Sequence, residues 1–241
     1  MLQPHQISCR NRLLAGLAPA DFALLQPHLD LVTLALGELV ITPGTPITHV
    51  HFVEQGIVSC IGVAADGERI ELAVVGREGL VGLPILHETD QTPDEARVQI
   101  LGLAWSMPAS ALREALQHSP TLHRRLLRYA QVATLQIAST ALANGRYKVE
   151  RRLARWLLMC HDRVEDDVLP TTQQFLSLML GVNRTSLTAI VGGLVRDGLI
   201  ETHRGHLTIR NRAGWLTLAG AAYGQPEVEY ERLLGQRQDE G

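Results

Sequence analysis

The chain has little cysteine: Cys9, Cys60 and Cys160 are few, scattered and odd in number. That argues against a disulfide framework or a paired-cysteine metal site, and it falls short of the four thiolates that hold an iron–sulfur cluster. No apolar run approaches the ~18 residues needed to span a bilayer, and no charged-then-apolar leader precedes Gln3. No membrane partner is therefore expected, and the cytoplasm is the expected location. A positive net charge is also missing, the balance being −3 over 241 residues. Nor is catalysis framed: Ser, His and Asp occur, but no nucleophile elbow or glycine-rich phosphate loop surrounds them, and no enzyme is expected.

The charge is unevenly placed. Met1–Gly145 holds 9 basic and 13 acidic side chains, Arg146–Trp215 holds 11 and 7, and the remainder 2 and 5. Only the middle segment is basic, as expected if it alone meets phosphates. Within it, Leu169–Ile200 reads as two short helices about a Gly-centred turn. Pro170, Thr171 and Thr172 suit a helix start, and Phe175, Leu176, Met179 and Leu180 recur at helical spacing before Gly181. Asn183 is a second N-cap, after which Leu187, Ile190, Val191 and Leu194 form one apolar face. This predicts a helix-turn-helix, whose second helix presents Arg184, Thr185, Ser186 and Thr188 to a DNA major groove. Arg184 has the reach for a bidentate bond to guanine. Two short strands follow, Leu199–Thr202 and Leu207–Ile209, joined by His203-Arg204-Gly205-His206 as the tip of a basic wing. The candidate DNA contacts are thus Thr172, Gln173, Asn183, Arg184, Thr185, Ser186, Thr188, His203, Arg204 and His206.

Upstream, Leu13–Leu29 reads as one or two short helices. From Leu31 to Met107 short apolar segments alternate with turn signals such as Pro43-Gly44, Gln55-Gly56 and Asp66-Gly67, which predicts a compact β-roll. Separate strands are expected at Val50–Val53 and Ile57–Val63, and again at Val98–Leu101 and Leu103–Met107. A short helix over Pro108–Leu116 precedes a long one opened by Ser119-Pro120 and running to about Asn144. In it Leu126, Ala130, Ala133, Ile137, Thr140 and Asn144 fall at alternating steps of four and three, a heptad seam that suits a second identical helix. A second apolar side carries Leu127, Thr134, Leu135, Ala138 and Leu142. Asn144-Gly145-Arg146 reads as a hinge, Val149–His161 as an amphipathic helix, Asn211 as the cap of a last helix to about Tyr223, and the rest as a polar tail.

This order resembles the CRP/FNR superfamily of bacterial transcription regulators over roughly Leu13–Tyr223. The residues carrying it are the glycines Gly37, Gly44, Gly56, Gly67 and Gly82 and the segment from Gly181 to Leu187. The resemblance implies an α+β chain: a cyclic-nucleotide-binding-like β-roll (a double-stranded β-helix) over 1–118, a dimerisation helix and hinge over 119–145, a winged helix-turn-helix over 146–223 and a polar tail over 224–241. It implies a homodimer on a palindromic operator in double-stranded DNA, with RNA polymerase as a further partner. The family's first recognition-helix arginine reads guanine, and Arg184 holds that place; the family's acidic contact falls on Thr185 and a second arginine on Ala189. Candidate effector-pocket residues are Gly82, Leu83, Pro84 and Arg97. After Gly82, Leu83 and Pro84 stand where the family's cyclic-AMP cassette has Glu and an apolar residue, and Asp94 and Glu95 where it has Arg-Ser. Two carboxylates repel a phosphate, so cyclic AMP is not expected, and the regulator is either controlled through the roll by an unassigned effector or constitutively active.

Two other classes stay open. His49 and His51, with Glu54 beyond and His87 further on, resemble a cupin metal motif, which implies a metal-dependent sensor or enzyme with an accessory winged helix. The cupin spacing is not met, so no metal is assigned. The remaining class is a scaffold whose winged helix binds protein.

Overall fold

The computed structural model describes residues 4–235. The expectation of no leader before Gln3 and the last part of the expected tail, 236–241, lie outside the described residues.

Two short helices open the chain. In α1 (Arg12–Ala15) the Asn11 side chain accepts from the N–H groups of Leu13 and Leu14, and α2 (Pro19–Leu25) starts on a proline whose missing N–H costs nothing there. The roll follows: β1 (Asp30–Leu34), β2 (Leu39–Ile41), β3 (His49–Val63), β4 (Arg69–Val75), β5 (Leu80–Val81) and β6 (Glu95–Pro108). They form one sheet in the order β1-β6-β3-β4, with β2 on β6 and β5 on β3. The two strands expected on either side of Gln55-Gly56 are one 15-residue strand, β3, and the pair expected around Gly102 is one 14-residue strand, β6. What reads as a turn is a bulge in each strand, where the register shifts. The bulges face one another: a side chain on Gly56 (φ +89°) would sit 2.5 Å from the Ile100 carbonyl oxygen, and one on Gly102 would strike the Gln55 backbone. Glycine here marks close approach of two backbones within a strand pair.

Helix α3 (Ala109–His118) leads to α4 (Pro120–Arg146), whose N-cap Ser119 accepts from Leu122 N–H. The hinge expected at Asn144-Gly145-Arg146 is helical throughout. The chain leaves the helix only at Tyr147 and Lys148, both extended, before α5 (Val149–His161). Then come β7 (Val168–Pro170), α6 (Gln173–Leu180), α7 (Arg184–Arg196), β8 (Ile200–His203), β9 (His206–Ile209), α8 (Arg212–Ala219) and α9 (Gln225–Leu234). Strand β7 was not anticipated: Pro170 ends an edge strand opposite His206, where its missing N–H is tolerated, and the helix begins three residues later. Helix α9 replaces the expected polar tail, because Tyr230 and Leu234, four residues apart, bury themselves against the roll and α4.

Two apolar cores result. The first fills the roll and takes in Leu13, Phe52, Met107, Leu122, Leu126 and Tyr129. The second lies under the helix-turn-helix, with Leu153, Trp156, Leu157, Leu187 and Trp215 packed against Ile57, Val74 and Ile100 from the outer face of the roll. At ~1.5–3 kcal/mol per large apolar side chain buried, that shared face fixes the winged helix on the roll.

Candidate nucleic-acid interface

The axes of α6 and α7 meet at 111°, within the range of DNA-binding helix pairs. Three local features set this angle. Thr172 caps α6 by accepting from Phe175 N–H. Gly181 takes the left-handed conformation (φ +59°) that ends the helix. Asn183 caps α7 by accepting from Ser186 N–H at 2.8 Å. Leu187, with Val191 and Leu194, is buried beneath.

Above that buried face, Asn183, Arg184, Thr185, Ser186, Thr188 and Ala189 are exposed. The Thr188 hydroxyl lies 2.8 Å from both the Arg184 carbonyl and Gln173 Oε1, so Gln173 is held across the first turns of the two helices. Thr172 is exposed beside it. Next to α7 stands the wing, rooted by the three-stranded sheet β7-β9-β8. Its tip turns at Arg204-Gly205, the His203 and His206 rings stack with centroids 5.2 Å apart, and Glu201 pairs with Arg210 at 2.5 Å. Among the described residues neither Arg184 nor Arg204 has a carboxylate within salt-bridge distance.

The basic excess of the segment is only partly at this surface. Arg151 donates to the Ala219 carbonyl, Arg152 to that of Leu180, Arg155 to that of Gln136, Arg163 to Glu78 and Arg212 to Asp162. These five brace α5 against its neighbours. Arg196, which sequence reasoning passed over, is exposed at the end of α7.

The expected dimer seam is divided. Leu126 and Ala130 are buried in the roll's own core, Ala133, Thr140 and Asn144 are half-buried, and Ile137 borders a cavity. The more open face is the second one: of its residues Leu127, Thr134, Ala138 and Leu142 are exposed and Leu135 is half-buried. Gln131 and Ala141 are exposed alongside them, so that Leu127, Gln131, Thr134, Ala138 and Ala141 again fall at steps of four and three. The roll takes the side of α4 that carries its bulkiest residues, Leu122, Leu126 and Tyr129.

Where α5 meets the roll, the Glu71 carboxylate of β4 is buried and accepts from Trp156 Nε1 at 2.7 Å and from the Ser59 hydroxyl at 2.8 Å. Burial pushes it up from the ordinary 4.5 to about 7, against the pull of those hydrogen bonds and of Arg155 and Arg163.

A cavity of about 750 Å³ lies between the roll, α4 and α9. Gly82, Leu83 and Pro84 line it as expected, but Arg97 does not. Its side chain turns away to Glu95 (3.1 Å) and the Gly37 carbonyl (2.9 Å), on the opposite strand face from Ala96. The cupin-like metal reading also fails. Glu54 is buried and accepts from Arg10 N–H (2.8 Å) and Asn11 N–H (3.2 Å). His49 is exposed beside Thr48. No group of three or more His, Cys, Asp or Glu suited to a metal occurs among the described residues.

A roll, a long helix with one open apolar face, and a winged helix-turn-helix with an uncovered basic tip define a two-domain regulator class. The comparisons agree. The Cyclic nucleotide-binding domain model matches residues 31–119 and the Crp-like helix-turn-helix domain model matches residues 151–214. The global nitrogen regulator of Nostoc sp. is 24% identical over 195 residues, covering 73% of this chain and 83% of that protein. The transcriptional regulator SdrP of Thermus thermophilus is 24% identical over 199 residues, covering 79% and 94%. The structure of FixK2 from Bradyrhizobium japonicum superposes with a TM-score of 0.68 at 18% identity, over 79% of this chain and 96% of that one. The chain is a DNA-binding transcription regulator of the CRP/FNR type.

Proposed function

We propose that the protein works as a homodimer on a two-fold symmetric operator, with α7 of each protomer in a major groove and each wing on the adjacent backbone. The observation that carries this is the uncovered first turn of α7, where Arg184, Thr185 and Ser186 are exposed, together with an exposed wing-tip Arg204 that has no carboxylate partner among the described residues. Direct readout then rests on Arg184, and the hydroxyls and Asn183 contact bases or phosphates within reach. The Leu127–Ala141 face of α4 is the dimer seam in this reading, since it is apolar, small and open in the single chain. A two-fold operator read this way requires the two recognition helices to lie about one DNA turn apart, ~34 Å. RNA polymerase is the further partner, the cytoplasm the location, and no catalytic step is assigned. Among the described residues no single helix is long and apolar enough to cross a membrane.

The roll in this reading senses something other than cyclic AMP. The cavity has Asp94 and Glu95 at the position of the family's phosphate-binding pair, and the nearby arginines, Arg97 (3.1 Å) and Arg69 (3.7 Å), are already paired with Glu95. No iron–sulfur cluster or resident metal is proposed. The test is selection of binding sites from random duplex DNA by the purified protein, with and without cyclic AMP, across a salt series. The expected result is a two-fold symmetric site enriched without nucleotide and lost steeply with salt. Enrichment only with cyclic AMP overturns the reading of the roll, and no enrichment in either condition overturns the operator.

A further inference from the structure

The cavity has two chemically unlike ends, and strand register fixes where they lie. Cys60 of β3 pairs with Ala73 of β4 and Ala96 of β6, so these three form one row across the cavity wall. Moving three residues along β3 one way, from Val58 to Ile61, passes from the row of Val75 and Val98 to that of Glu71 and Glu95, roughly 10 Å. Asp94 therefore caps one end, and Arg77, just past Val75, caps the other. Between them the lining is apolar: Leu72, Val75, Leu80, Leu83, Val132 and Ile137.

The charges at the Arg77 end are nearly all spoken for. Arg163 holds Glu78 at 2.7 Å, Arg12 holds Glu231 at 2.6 Å, and Arg10 pairs with Glu165. Glu227 has one buried oxygen without a hydrogen bond, but it faces Arg155 and Arg163, which counter its charge. Among the described residues Arg77 alone of these cavity arginines has no side-chain partner, and it is half-buried. Its guanidinium still reaches solvent beside the apolar channel and is free to take an anion. At the other end Asp94 lines the wall as an acidic side chain with no cation paired to it among the described residues, which disfavours a phosphate or second carboxylate there.

We propose that the cavity binds an amphipathic monocarboxylic acid, with its carboxylate on Arg77 and its hydrocarbon part along the apolar lining toward Leu83. The volume of about 750 Å³ lies within the ~300–1,000 Å³ of ligand pockets. The wall beside Arg77 includes Tyr230 and Pro226 of α9, so the acid touches a helix that follows directly from the winged domain. The inference rests on the reading of the roll as the sensor of a regulator.

Decanoate titrated into the full-length protein and followed by calorimetry tests this, with 1-decanol and cyclic AMP as comparators. Decanoate is expected to saturate one site per chain and to bind at least about 10-fold tighter than either comparator. Arg77→Gln should weaken decanoate about 10- to 100-fold, the range for one charge-assisted hydrogen-bonded pair, and leave decanol unchanged, while Arg77→Lys retains most of the affinity. Ile137→Trp, which fills the channel from a partly exposed position, should abolish both. Equal binding of acid and alcohol, an unchanged Arg77→Gln titration, or preference for cyclic AMP overturns the proposal. Operator binding is measured on the same preparation. Decanoate bound without operator binding supports the site and removes the regulator reading; operator binding without saturable decanoate does the reverse.

Discussion

Arg184 stands on the first turn of α7, exposed and without a carboxylate in reach among the described residues, so its removal leaves the fold intact and acts on DNA alone. Arg184→Ala is expected to cost about 1–3 kcal/mol on the selected operator and to relax preference at one base pair of each half-site. An unchanged footprint and affinity would show that another side chain reads the groove. Arg204, on the wing tip, meets phosphate in this reading. Arg204→Ala should therefore weaken all duplexes alike and lower the slope of log K against log salt by about 1 per protomer; a loss confined to one sequence contradicts it. Both side chains were legible in the sequence because caps and turns are local: Asn183 before Arg184, and Gly205 after Arg204, announce their own geometry. The inward arginines were not legible. Arg155 and Arg163 count toward the same basic excess, yet their partners, the Gln136 carbonyl and Glu78, lie on other elements.

Among the elements, α4 shows most clearly what pattern leaves open. Two heptad stripes run along it, and periodicity identifies both without saying which one the roll claims. The structure gives the roll Leu122, Leu126 and Tyr129 and leaves Leu127, Gln131, Thr134, Ala138 and Ala141 outside. Two glutamate substitutions separate these faces. Ala138→Glu places a charge in the proposed seam and should leave a folded monomer, weakening self-association by about 100-fold or more, since an unpaired charge in an interface costs ~3 kcal/mol or more. Leu126→Glu places the charge in the roll core and should prevent folding. Sedimentation equilibrium with circular dichroism distinguishes the outcomes, and a dimeric Ala138→Glu protein would move the seam elsewhere. Strands β3 and β6 show the same limit. Their glycines read as turns because sequence marks where the backbone bends, whereas whether a bend reverses the chain or only bulges it depends on the strand opposite.

At the level of the whole molecule, the roll and the winged helix share one apolar layer and one buried carboxylate. Neither was visible in advance, since Glu71, Ser59 and Trp156 are separated by 12 and 85 residues and meet only once the chain is folded. The groups facing Glu71 are Ser59 on β3, Trp156 and Arg155 on α5 and Arg163 just beyond it, while the Cys160 thiol, raised by burial, stays neutral beside them. With the folded carboxyl at about 7 and the unfolded one near 4.5, both states are protonated below pH 4.5 and stability is greatest there as far as this group is concerned. Between pH 4.5 and 7 the unfolded chain holds fewer protons than the folded one, so stability falls as pH rises, by about 3 kcal/mol in total, and is level above pH 7. Glu71→Gln keeps an acceptor for Trp156 Nε1 and carries no charge to desolvate. It should equal the parent protein near pH 4.5 and exceed it at pH 8, measured as the difference in denaturant midpoint at fixed ionic strength. Because every other titrating group is common to the two proteins, that difference isolates Glu71, and parallel pH profiles would mean that the carboxylate is solvated in the working protein and that the two domains are not latched there.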